Sequence, residues 1–113
     1  MGPFDVVHLT ALMDRTSGRP EIIIGLIDGP VALNNADLVG ASIHEVPGKL
    51  RGTCNRADTV ACSHGTFVAG ILAARRGSIA PAISPGCTLL LRPIFAETAN
   101  GYGLMPSASP EDL

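Results

Sequence analysis

The stretch Ser63-His64-Gly65-Thr66-Phe67-Val68-Ala69-Gly70-Ile71-Leu72-Ala73-Ala74, followed by Arg75-Arg76-Gly77, restricts the fold more than any other part of the chain. It predicts one short helix that opens at a histidine and is lined with small residues. Ser63 is a cap candidate for the free N–H groups of the first turn. Gly77 suits a left-handed closing position, with Arg75 and Arg76 where cations favour the helix dipole. Gly65, Ala69, Gly70, Ala73 and Ala74 let other backbone approach, while Phe67, Val68, Ile71 and Leu72 supply apolar surface. Such a helix is expected to be buried on most sides. Two interior glycines each cost about 1 kcal/mol relative to alanine, which points to a close approach that needs them. His64 would then project from the first turn of a rigid element.

Upstream, Glu21-Ile22-Ile23-Ile24-Gly25-Leu26-Ile27 is a continuous apolar, β-branched run that suits a central parallel strand covered on both faces. It stops at Asp28-Gly29-Pro30, which leaves a carboxylate at the carboxyl end of the strand, where open α/β sheets carry their functional groups. Residues 5–13 form a loose helical stripe with Asp5 as a plausible cap. Residues 31–38 read as loop and residues 39–46 as a second, weaker strand. Residues 47–61 are polar and glycine-containing, as in a surface loop. Residues 87–92 are the third strand candidate. Asn100-Gly101-Tyr102-Gly103 marks a flexible loop.

The 113 residues bound a single small domain or part of a larger one. With 46% apolar and 16% charged residues the chain is globular material. A formal charge of −2 gives no electrostatic case for nucleic acid or an anionic membrane. No apolar run approaches the roughly 20 residues that span a bilayer, and the N-terminus lacks the regions of a signal peptide. Three cysteines, Cys54, Cys62 and Cys87, without secretory context favour free thiols in a reducing, cytoplasmic compartment. A local Cys54–Cys62 disulfide remains open on spacing alone. At the other end, Ser109-Pro110-Glu111-Asp112-Leu113 has the cap, proline and acidic residues that begin a helix. A helix nucleus without further turns is unstable alone, so residues 1–113 are expected to be the front part of a longer peptidase domain.

An aspartate-ended strand followed by His64-Gly65-Thr66-Phe67-Val68-Ala69-Gly70 resembles the subtilase family of serine peptidases. Ile24-Gly25-Leu26-Ile27-Asp28-Gly29 looks like the family's aspartate motif, and Ala36-Asp37-Leu38 like the His-Pro-Asp-Leu segment after it, with Asn35 and Ala36 as departures. Phe67 stands where a second histidine is common. Ile79-Ala80-Pro81 and Leu89-Leu90-Leu91 are similar to the segment and strand after the histidine helix, so the likeness runs over residues 21–93. A narrower likeness, to proteases that mature cyanobactin-type ribosomal peptides, is suggested by Asp28-Gly29-Pro30-Val31, by residues 92–97 and by Pro110-Glu111. The resemblance implies an α/β fold: the N-terminal part of a subtilisin-like parallel three-layer sandwich, with about three strands and two to three helices.

By that resemblance His64 is the general base and acid, and Asp28 the group that orients it. A hydroxyl is a poor nucleophile until a base takes its proton, and imidazole does this near neutral pH. The partner serine belongs in a later Gly-Thr-Ser-x-Ala-like turn, and Ser78, Ser84, Ser107 and Ser109 do not stand in one. The chain alone should therefore not hydrolyse peptides. It would need the remaining part of the domain, or a complementing chain, to act on a peptide or protein substrate. The alternative is a non-catalytic subtilase-like module that holds peptide or partner. No cofactor or metal is expected. The resemblance raises calcium at Asp37, but Arg75-Arg76-Gly77-Ser78 runs straight into Ile79-Ala80-Pro81 and omits the family's calcium loop. A zinc site of Cys54, Cys62 and His64 lacks a fourth ligand and a usual spacing. Three strands taken from a larger sheet leave an open edge, so self-association is expected.

Overall fold

The computed structural model describes residues 2–97 and 107–113, so the Asn100–Gly103 loop reading lies outside the described residues. Three parallel strands form the sheet: β1 (Ile23–Asp28), β2 (Ile43–Glu45) and β3 (Thr88–Pro93), in the order β1-β3-β2. Ile23 pairs with Thr88 and Asp28 with Pro93, while Ile43 pairs with Leu89 and Glu45 with Leu91. The architecture is that of a partial subtilisin-like α/β fold.

The most apolar strand is an edge strand, and β3 holds the centre. The expectation of a central strand covered on both faces is corrected accordingly. Along β1, Leu26 and Asp28 are buried, while Ile23 and Ile27 on the other face are 62% and 53% exposed. Strand periodicity of two puts these sets on opposite faces. Under the covered face lies the core: Leu26, Val31, Leu38, Leu89 and Leu91 against Ala69, Ala73, Ala74 and Ala82.

The helix α3 (Val60–Ala73) packs on that core. It begins earlier than Ser63. Thr59 is the cap and accepts the Cys62 N–H at 3.3 Å, which places His64 at the start of the second turn. A threonine hidden in a polar loop outcompetes the serine beside the histidine because only Thr59 has the extended backbone a cap needs. Burial follows a single stripe: Ala61, Cys62, Gly65, Ala69 and Ala73. Phe67 is 68% exposed and Ile71 lies on the same open side, so the helix is covered on one face rather than most. Gly77 is not its closing residue; the positive-φ glycines among the described residues are Gly18 and Gly40. Instead the N–H groups of Ile83, Ser84 and Ala82 return to the carbonyls of Ile71, Leu72 and Ala74. With those acceptors satisfied, no left-handed cap is required.

The predicted helix over residues 5–13 is two pieces, α1 (Pro3–Val6) and α2 (Thr10–Arg15), separated by His8 at φ 59°. Asp5 sits inside α1 rather than before it. Its carboxylate accepts the Gly2 N–H at 2.7 Å and the Thr10 hydroxyl, tying the two pieces together. The N-terminal segment is held to the body by Arg76. Its guanidinium donates to the carbonyls of Met13 (2.7 Å), Thr16 (2.9 Å), Ala82 (2.7 Å) and Ile83 (3.0 Å). The role assigned to Arg76 from sequence, a cation at a helix end, is replaced by this four-carbonyl clasp. Where the sequence predicts the start of a helix, the structure has a 3-10 turn, Pro110–Asp112, with the Asp112 carboxylate accepting the Ser109 N–H at 2.7 Å.

Candidate active site

The carboxyl end of β1 and the second turn of α3 meet because two glycines permit it. A Cβ at Gly65 would collide with the carbonyl oxygens of Gly29 and Pro30, and one at Gly29 with the carbonyl of Ala61. Thr66, one residue on, accepts the Ala32 N–H at 2.8 Å and fixes the same junction by hydrogen bonding. Gly70 is different: a Cβ there meets nothing within 4 Å. Of the two interior helix glycines, only Gly65 is required by a close approach.

Asp28 and His64 are brought together at this junction. His64 Nδ1 lies 2.8 Å from Asp28 Oδ1. The Asp28 side chain is 12% exposed and the His64 ring 66% exposed. Asp28 Oδ1 also accepts the Gly29 N–H at 2.6 Å, which fixes the carboxylate orientation. With the proton on Nδ1 facing the carboxylate, Nε2 carries the lone pair and faces outward. Among the described residues nothing hydrogen-bonds Nε2, and no serine hydroxyl reaches it. The arrangement can hold an imidazole in one tautomer and stabilise its protonated form.

Asp37 lies elsewhere, with Arg75 Nη2 3.7 Å from its carboxylate and its carbonyl accepting the Arg75 N–H. The loop over residues 47–58 is more structured than its composition suggests. Thr53 forms a parallel bridge to Val31, and Cys54 is joined to Cys62 in a disulfide. The free-thiol expectation therefore holds only for Cys87, which is buried. The two cysteines meet because the Val31 bridge brings the loop alongside the first turn of α3.

Glu97 falls in the 92–97 stretch of the narrower likeness, but the sequence assigns it no role. Its carboxylate accepts the N–H groups of Asn55 (2.8 Å) and Arg56 (3.0 Å) and the Thr59 hydroxyl (3.1 Å). Burial alone would raise its carboxyl; those three donors and the Arg56 charge outweigh burial and hold it below the ordinary 4.5. Its partners lie about 40 residues earlier in the chain, and no local spacing reveals them.

The sheet order, the histidine helix and the acid at the strand tip reproduce part of the subtilisin-like α/β fold. The similarity is to proteases of cyanobactin maturation. The prenylagaramide maturation protease PagA matches over 92% of this chain and 31% of its own, at 29% identity and a TM-score of 0.69. A mutant of the PatA protease domain matches over 74% of this chain and 30% of its own, at 30% identity and a TM-score of 0.67. The chain thus spans less than a third of the length of these two structures. The PatG macrocyclase domain shares the fold, at 17% identity over 82% of this chain and 44% of its own, with a TM-score of 0.57. No protein-family model and no curated protein matches the sequence. Among the described residues no helix is long and apolar enough to cross a membrane.

Proposed function

We propose that this chain supplies the aspartate–histidine part of a serine endopeptidase site that acts on ribosomal precursor peptides. The observation that carries the reading is the 2.8 Å contact between His64 Nδ1 and Asp28, with Nε2 left open to solvent. In this reading Nε2 takes the proton of an attacking serine hydroxyl and later returns it to the leaving amine. Asp28 accepts the Nδ1–H bond throughout, so that the imidazolium formed during attack has its counter-charge in place. The serine and the oxyanion donors come from sequence outside residues 1–113. The likeness to the prenylagaramide and patellamide maturation proteases PagA and PatA supports a peptide substrate.

The open edge of β1, with Ile23 and Ile27 exposed beside it, is the surface on which the completing part of the sheet would pair. A second reading rests on the absence of a serine at His64 among the described residues: a subtilase-like module that holds peptide without cutting it. An active-site-directed fluorophosphonate separates the two. Labelling of the product of the complete reading frame, lost in His64→Ala, supports the peptidase. A folded product that binds precursor peptide but takes no label identifies the binding module.

A further inference from the structure

At the start of α3, the sulfurs of Cys54 and Cys62 and a carboxylate oxygen of Glu97 all lie within 4.8 Å of one another. Cys62 is 1% exposed, and Cys54 and Glu97 are half-buried. The Glu97 carboxylate is oriented in advance: Oε1 accepts from Arg56 and Thr59, Oε2 from Asn55. An ionised carboxylate has about four acceptor sites, so one lone pair on Oε2 remains. Hydrogen bonds of this kind fix a metal ligand's direction. His64, the third ligand considered from sequence, is engaged by Asp28 instead.

We propose that reduction of the Cys54–Cys62 disulfide opens a binding site for a thiophilic divalent cation of the zinc type, held by Cys54, Cys62 and Glu97 with water in the fourth position. The reductant is a dithiol. It donates two electrons and two protons, the S–S bond breaks to two thiols, and the dithiol closes to its own disulfide. The cation then releases both thiol protons to solvent and binds two thiolates at about 2.3 Å and the carboxylate at about 2.0–2.2 Å. Two thiolates, a carboxylate and a divalent ion sum to −1, beside an Arg56 guanidinium that is itself paired with Asp58. Cys62 is fixed in the helix, whereas Cys54 lies outside helices and strands, so the sulfurs separate by movement at Cys54. The site couples the redox state of the loop to the turn that precedes His64. It stands whether or not the peptidase reading does.

Cobalt(II) is the probe, titrated into the intact chain in its oxidised form and after reduction with a phosphine. The reduced chain is expected to bind one cobalt ion with sulfur-to-metal charge-transfer absorption, and the oxidised chain to show none. Cys87→Ser should leave the band unchanged, and the double variant Cys54→Ser with Cys62→Ser should abolish it. Glu97→Gln should weaken binding by roughly tenfold or more, at least the scale of an outer-shell change. The proposal is overturned by a folded, reduced chain without the band, by a band that survives the double variant, or by unchanged affinity in Glu97→Gln. It is equally overturned if circular dichroism shows that reduction unfolds the chain, since no assembled trio then exists.

Discussion

His64 Nδ1 faces Asp28 Oδ1 at 2.8 Å, and the carboxylate is nearly covered while the ring is mostly open. In the proposed reading the buried partner sets direction and the exposed one is left free to meet substrate. Asp28→Asn keeps the shape but turns the hydrogen bond around, which favours the wrong imidazole tautomer. Under the proposed peptidase reading, kcat of the complete protein is expected to fall by about 10⁴-fold, the scale of that change in serine-peptidase triads. Nitrogen-detected NMR of the His64 ring would check the tautomer directly; a ring unchanged in Asp28→Asn would refute the orienting role.

Gly65 and Gly70 should respond oppositely to alanine. At Gly65 the new methyl strikes the Gly29 and Pro30 carbonyls, and overpacking of this kind costs about 1–3 kcal/mol. At Gly70 the methyl enters open space, and the gain in helix propensity is about 1 kcal/mol. Chemical denaturation midpoints of the two variants should move in opposite directions from the wild type.

Arg76 fastens the N-terminal segment to the residues that follow α3. Lysine keeps the charge but cannot spread its donors over four carbonyls. Arg76→Lys is expected to destabilise the fold by more than about 1.5 kcal/mol, since charged hydrogen bonds carry about that much each. Amide exchange should accelerate in residues 10–17 before the rest of the chain. Uniform acceleration would mean that the clasp is not local.

The Glu97 carboxyl is held below its ordinary value of 4.5 in the folded protein. Its stabilising contribution is therefore fully present above that value and is lost as pH falls through the lower folded value. Stability measured between neutral pH and pH 3 should decline less steeply below 4.5 in Glu97→Gln than in the wild type. Parallel profiles would show that the three donors do not discriminate the ionised form.

The edge of β1 that no strand pairs among the described residues, flanked by exposed Ile23 and Ile27, gives an expectation for the isolated chain. Light scattering should detect association that grows with concentration, and a lysine at Ile27 should suppress it. A cooperative monomer across the concentration range would contradict this.

Much of the fold was legible where chemistry is local. Glu21 to Ile27 reads as strand because apolar residues, four of them isoleucine, run up to Asp28, and His64-Gly65-Thr66 announces a helix at a close junction. Less was legible where contacts are distant. Thr59 becomes the cap through its backbone conformation and through Glu97, 38 residues away. The Cys54–Cys62 bridge depends on the Thr53–Val31 pairing, which no spacing rule contains. The place of β1 at an edge is equally hidden, because an apolar strand reads alike whether one face or both are covered. Arg76 looked like a helix-end charge, since the carbonyls it gathers come from two separate segments.

The pairing of Ile23 with Thr88 has a consequence for biosynthesis. The aspartate-bearing strand leaves the ribosome first, yet its hydrogen-bonding neighbour is made 65 residues later (88 − 23). At translation rates of about 5–20 residues per second, that delay is roughly 3–13 s. During it the isoleucine-rich segment lacks the strand it pairs with in the folded structure.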